Sequence, residues 1–186
     1  DFAWLQHMIK SMDSKNGRCA VVLPQGVLFH SGKEGEIREQ LVRSDKLEAV
    51  ITLASGVFYS TGVSACILFL NNKKEHKHKG RICLIDGTEI YTPQRAQNII
   101  SPDNVKTLYK LYTDYVDVIE KCKIVTIDDV EKGGFELSVK KYIEQKAKEA
   151  IPHEKVLLAY YEALTKVRKS EEKMRKLLIE GGYVNE

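Results

Sequence analysis

A doubly wound α/β fold is predicted by three observations. Short, nearly continuous apolar runs recur at residues 18–23 (RCAVVL), 47–53 (LEAVITL), 64–70 (SACILFL) and 81–85 (RICLI). Runs of that length and composition suit strands buried on both faces of a sheet. Between and around them lie segments with apolar residues three and four apart, and alternating strands and helices build an α/β sheet. The connection over residues 54–63 is too short for a helical crossover, so the second and third strands are predicted to be antiparallel.

The elements follow in order. Phe2, Leu5, Ile9 and Met12 mark one face of a first helix, and the turn at residues 13–17 ends it. The chain starts at Asp1, inside that amphipathic stripe and without Met or a cap. The expectation is therefore a C-terminal piece of a longer protein. Pro24 stops the first strand, and residues 25–35, with Gly26, Gly32 and Gly35, read as a loop. Residues 36–43 read as a helix with Ile37 and Leu41 inward. The charged stretch 71–80 (NNKKEHKHKG) reads as a solvated hairpin tip. Ser101-Pro102-Asp103 is a helix start, with Ser as cap and Pro in the first turn. Leu108, Tyr112, Tyr115 and Ile119 give its face. Residues 124–127 read as a short strand, and residues 135–142 as a strand or extended segment. From Pro152 onward, Leu157, Tyr160, Leu164, Val167, Met174 and Leu178 form a heptad-like seam that Glu171 interrupts. That seam suits packing on another subunit or on its own domain equally. The expected division is 1–92, 93–150 and 151–186.

Composition bounds the function. Of the 186 residues 43% are hydrophobic, which excludes global disorder. A net charge of +3 permits nucleic-acid contact without arguing for it. Cys19, Cys66, Cys83 and Cys122 are widely spaced, three of them in apolar runs, as expected of free thiols in a reducing cytoplasm. No apolar run reaches the roughly 18–20 residues of a membrane span. No glycine-rich phosphate-binding fingerprint or Gly-x-Ser-x-Gly elbow occurs. His76 and His78 sit among lysines that would repel a cation, so no metal is expected there. Asp86 and Glu89 follow a strand end, but nothing else converges on them, and a surface role is expected.

The loop 53–63 (LASGVFYSTGV) is the most informative segment. It sets Phe58 and Tyr59 side by side between glycines. Burying such a ring is worth about 1.5–3 kcal/mol. On composition alone, one ring is expected to fold back as a core plug.

Three blocks change that expectation. Residues 17–29 (GRCAVVLPQGVLF), 47–53 and 58–71 (FYSTGVSACILFLN) stand in the order and spacing seen in one family. This region, residues 1–92, resembles the modification subunit of type I restriction–modification systems, an adenine-N6 DNA methyltransferase family. The remainder is similar only to that family's variable extension. The resemblance implies the C-terminal half of a Rossmann-like, S-adenosylmethionine-dependent methyltransferase sheet plus a mostly helical C-terminal extension. It also implies a chain cut after its catalytic motifs. Neither the Asn/Asp-Pro-Pro-aromatic loop nor the cofactor-binding turn occurs here. The parent would use S-adenosylmethionine, while this piece would not hold it or transfer methyl groups alone.

The same resemblance assigns Phe58, with Tyr59 in reserve, to stacking on an adenine flipped out of DNA. His30, Lys33 and Arg38 become candidates for DNA phosphate, with a solvated loop as the alternative. Leu157, Tyr160, Leu164 and Val167 become candidates for contact with a specificity subunit, in an assembly that also holds a restriction subunit. Two other readings stay open: a fused or stand-alone methyltransferase–endonuclease, and a non-catalytic α/β scaffold.

Overall fold

The computed structural model describes residues 2–59, 61–143 and 153–183. It divides into two compact units, residues 1–146 and 147–186. The first is built on a five-stranded mixed sheet. In chain order its elements are α1 (Phe2–Ser11), β1 (Arg18–Pro24), α2 (Lys33–Arg43), β2 (Leu47–Leu53), β3 (Ala65–Asn71), β4 (Arg81–Gly87), β5 (Thr92–Pro93), β6 (Asn98–Ile99), α3 (Pro102–Asp114), β7 (Cys122–Thr126), α4 (Ile127–Lys132) and α5 (Val139–Tyr142).

Strand order across the sheet is β1-β3-β2-β4-β7. β2 and β3 are antiparallel, as the short connection requires, with Ile51 opposite Ile67. β2 and β4 run parallel and β7 returns antiparallel on β4. β1, β2 and β4 therefore share one direction, and their carboxyl ends lie at one end of the sheet.

The period of two in the strands sorts the core into two layers. On one face Val50, Leu68, Leu70, Ile82 and Leu84 pack with Leu5 of α1, Leu41 and Val42 of α2, Val130 of α4 and Val139 of α5. On the other, Ala49, Ile51, Cys83 and Ile85 pack under Leu108 of α3. All of β2 is buried, as its continuous apolar run predicts. β1 is not. Val22 on its second face is half exposed, because the apolar layer under α3 gathers residues of β2, β3, β4 and β7 but none of β1. Among the described residues β1 pairs on one side only, with β3.

Several expectations are corrected. The break at 92/93 does not divide the structure, since β7 completes the sheet and Leu137 and Val139 join its core. Residues 71–80 are no hairpin tip: they carry the chain from β3 past β2 to β4. Nor are they wholly solvated. Lys74 is buried, donating to Asp45 Oδ1 at 2.6 Å and to the Arg81 carbonyl at 2.7 Å. His78 is buried and stacked on Tyr115, ring centroids 3.6 Å apart. Residues 135–138 are irregular and 139–142 helical, with Phe135 left-handed at φ 55°. Ile119 lies beyond the end of α3 and is exposed. The predicted start of α3 is confirmed: Ser101 Oγ accepts from Asn104 N, and Asn104 Oδ1 accepts from Ser101 N.

The second unit contains α6 (His153–Glu180), 28 residues long with none buried. Pro152, the expected helix opener, lies outside the described residues. No helix among the described residues is long and apolar enough to cross a membrane.

Candidate nucleic-acid interface

In open α/β sheets, ligands are held beyond the carboxyl ends of the parallel strands. Here that end carries the segment after Pro24, the 54–64 loop after β2 and the segment after β4. Gln25 N donates to the Ser64 carbonyl at 3.0 Å, tying the first two together. The loop's rings are not core plugs. Phe58 is 42% exposed and Tyr59 83% exposed, so the expectation from composition fails and the one from resemblance stays available. Gly56 takes φ +69°, a turn open to glycine at little cost, and the loop leaves the sheet there. Ser60, between the rings and Thr61, lies outside the described residues.

Phe58, Tyr59 and Thr61 line an open recess of about 350 Å³, whose other side is Gln94, Arg95, Ala96, Gln97 and Asn98. That second wall is a small hairpin, β5 and β6, pinned to the loop from both sides of one residue. Asn98 N donates to the Gly56 carbonyl at 2.9 Å and Asn98 Nδ2 to the Ser55 carbonyl at 2.8 Å. A neighbouring recess of about 430 Å³ is lined by Gln25, Phe29, Thr52, Ser55, Thr88, Tyr91, Asn98 and Lys140, among others. Phe29 is a third exposed ring at this end of the sheet.

The predicted phosphate contacts separate. His30 is exposed and its Nδ1 lies 2.8 Å from Glu34 Oε2. Lys33 is exposed at the first turn of α2. Arg38 is withdrawn as a DNA contact, because its guanidinium is buried and spent. It donates to the carbonyls of Phe135 at 2.7 Å, Val27 at 3.1 Å and His30 at 2.8 Å. Burial pulls its pKa below the ordinary value, against the pull of Glu136 and Glu34. Leu137 N donates to the Leu28 carbonyl beside it, so Arg38 locks the 135–137 segment onto the end of β1. A lone Arg in a helical pattern gave no sign of this.

The surface role expected of Asp86 and Glu89 is corrected for Asp86, which is part-buried and bonded within the fold. Asp86 accepts from Thr52 Oγ1 at 3.1 Å and from Thr88 N and Oγ1 at 3.0 and 2.6 Å. It holds the end of β4 to β2, while Glu89 is exposed. Among the described residues no group of three or more His, Cys, Asp or Glu is placed to hold a metal ion. The polar wall at Gln94–Asn98, Phe29 and Lys140 went unseen in the sequence. The Gln94–Asn98 segment has no periodicity, and the bonds of Asn98 to Gly56 and Ser55 hold it to the loop.

This is the layout of an open α/β domain with two recesses on the loops at one end of its sheet. The chain belongs to the N-6 DNA methylase family, whose pattern it matches over residues 1–150. It is 32% identical over its whole length to the methylase subunit of the type I restriction enzyme MjaVIII of Methanocaldococcus jannaschii, covering 31% of that protein. It is 34% identical to the HindI methylase subunit of Haemophilus influenzae, over 77% of this chain and 33% of the relative. The chain thus spans about a third of the curated relatives it matches. The fold matches a crystal structure of a type I restriction–modification methyltransferase subunit from Streptococcus thermophilus, with TM-score 0.73 and 24% identity. That match covers 77% of this chain and 30% of the other.

Proposed function

We propose that this chain is the part of an adenine-specific DNA methyltransferase subunit that walls the target-base pocket, within a type I restriction–modification system. One observation carries this reading: two adjacent rings stand exposed on the loop at the carboxyl end of the parallel strands. An exposed ring pair offers a face on which a base can stack. A flipped adenine gives up its neighbours in the duplex and regains roughly 1–3 kcal/mol per stacked aromatic contact. Phe58 is the assigned stacking residue and Tyr59 the reserve.

Family membership implies S-adenosylmethionine as the methyl donor. The described residues do not fit it. The cofactor needs a cleft lined by several glycines, and among the described residues Gly56 is the only glycine lining either recess. A Cβ on Gly26 would meet the His30 ring, and one on Gly87 the Thr52 carbonyl. No step of the chemistry is therefore assigned to these residues, and the isolated chain is expected to be inactive. The cofactor cradle and the loop that accepts the amine hydrogens are assigned to other parts of the full-length subunit.

His30 and Lys33 remain candidates for DNA phosphate. The α6 residues Leu157, Tyr160, Leu164 and Val167 are assigned to contact with a specificity subunit, which reads the target sequence, in an assembly with a restriction subunit. Phe58→Ala in the full-length subunit is expected to lower methyl incorporation at least tenfold while cofactor affinity is kept. Unchanged methylation overturns the assignment of Phe58.

A further inference from the structure

We propose that the β5–β6 hairpin is a second DNA-contacting element, closing on the base from the side opposite the Phe58 loop. It rests on the reading above for the kind of ligand, and adds the residues that grip it. Three features of the hairpin point to an unpaired nucleotide.

Gln97 lines the recess, and its side-chain oxygen is buried without a hydrogen-bond donor. A buried amide oxygen left alone is costly. A rotation of the Gln97 amide would bring that oxygen to the recess, where the exocyclic amine of adenine supplies the donor it lacks. Arg95, at the tip of the same turn, is exposed and lines the same recess. A guanidinium there suits the phosphate next to a base drawn out of the stack. The two walls are also tied together. Asn98 fastens the hairpin to the loop through both its backbone and its side chain. Thr92 Oγ1 ties the other strand to Asn104 Oδ1 at 2.9 Å, at the capped start of α3. The hairpin is thus held in place before any ligand arrives, which limits the ordering cost of binding.

The recess thereby has an aromatic wall and a cation, with an acceptor one side-chain rotation away, the set that single-stranded nucleic acid takes. Stacking serves any base, whereas the Gln97 oxygen separates amino purines from purines without the amine. Gln97 is accordingly a specificity-determining residue and Arg95 a backbone-gripping one.

The test uses the full-length subunit and two short fluorescent single-stranded oligonucleotides, one of adenines and one of purines lacking the amino group. Anisotropy gives the affinities across a salt series, and thermal melting confirms the fold of each variant. Gln97→Leu should weaken adenine binding about tenfold and leave the amine-free oligonucleotide unchanged, the loss of one hydrogen-bond preference. Arg95→Ala should weaken both by several-fold and reduce the salt slope by about 0.7, one phosphate contact on a single strand. Phe58→Ala should weaken both by about tenfold without changing that slope. If Phe58→Ala has its effect while Arg95→Ala and Gln97→Leu have none, the hairpin proposal falls and the stacking wall stands. If the hairpin variants act and Phe58→Ala does not, the stacking assignment falls and the hairpin contact stands. No binding of either oligonucleotide by the unaltered subunit overturns the hairpin proposal.

Discussion

The two ends of the sheet use polar and aromatic residues in opposite ways. At the end where β2 starts and β3 finishes, such residues gather on one buried carboxylate. Glu48 is buried and accepts from Asn71 Nδ2 at 3.2 Å and from the Tyr112 hydroxyl at 2.7 Å. Arg18 donates to the same hydroxyl at 2.8 Å, and His78 Nδ1 lies 3.4 Å from the carboxylate. Phe69 stacks on Tyr112. At the opposite end Phe29, Phe58 and Tyr59 face outward, and Arg95 and Lys140 line open recesses. A buried charge is tolerated only when its partners come with it, so the first end is committed to holding the fold. The second end keeps three rings and two cations at its surface, which is why function is proposed there.

Three substitutions test that contrast, in descending order of effect on stability. Glu48→Ala should be the most severe, about 3 kcal/mol, because Asn71 and Tyr112 lose their acceptor inside the protein. Denaturant unfolding measures it, and a loss under about 0.5 kcal/mol would place Glu48 outside the framework. Tyr112→Phe should cost about 1.5 kcal/mol, the value of a hydrogen bond to a charged acceptor. It should also change the alkaline response. Burial, helped by the Glu48 carboxylate, pushes the Tyr112 hydroxyl up to about 12 from an ordinary value of 10. The folded state thus holds its proton more tightly than the unfolded chain does. The stability this confers is complete below pH 10 and is lost as pH rises through about 12. Tyr115, raised by burial as well, adds to the same loss. Tyr112→Phe should therefore make the fall between those pH values shallower, and an unchanged fall would contradict the shift. Tyr59→Ala should change stability by no more than about 0.5 kcal/mol, since its ring buries little. A larger loss would show that the loop is part of the framework after all.

The sequence exposed the layout of the sheet because the layout depends on local signals. The continuous run 47–53 specified a strand buried on both faces. The shortness of 54–63 specified its antiparallel neighbour, and Ser101-Pro102 specified a helix start. β1 was misjudged because RCAVVL reads like LEAVITL, while burial of its second face depends on where α3 lies, some 80 residues later in the chain. The same distance in sequence hid Arg38, whose partner Phe135 comes from another element. His78 was misread because a histidine among lysines looks solvated until Tyr115 is known to cover it. Of the candidate interface, the aromatic wall was legible through its motif. The hairpin wall was not, since Gln94 to Asn98 carries no pattern and gains meaning only by its fastening to Gly56 and Ser55.

Hydrogen exchange of the full-length subunit, with and without its DNA, compares the two ends in one measurement. The account predicts added protection on DNA binding in residues 55–63 and 92–99, with no change across residues 72–80. Protection confined to 72–80, with the Phe58 loop and the hairpin unchanged, would contradict it.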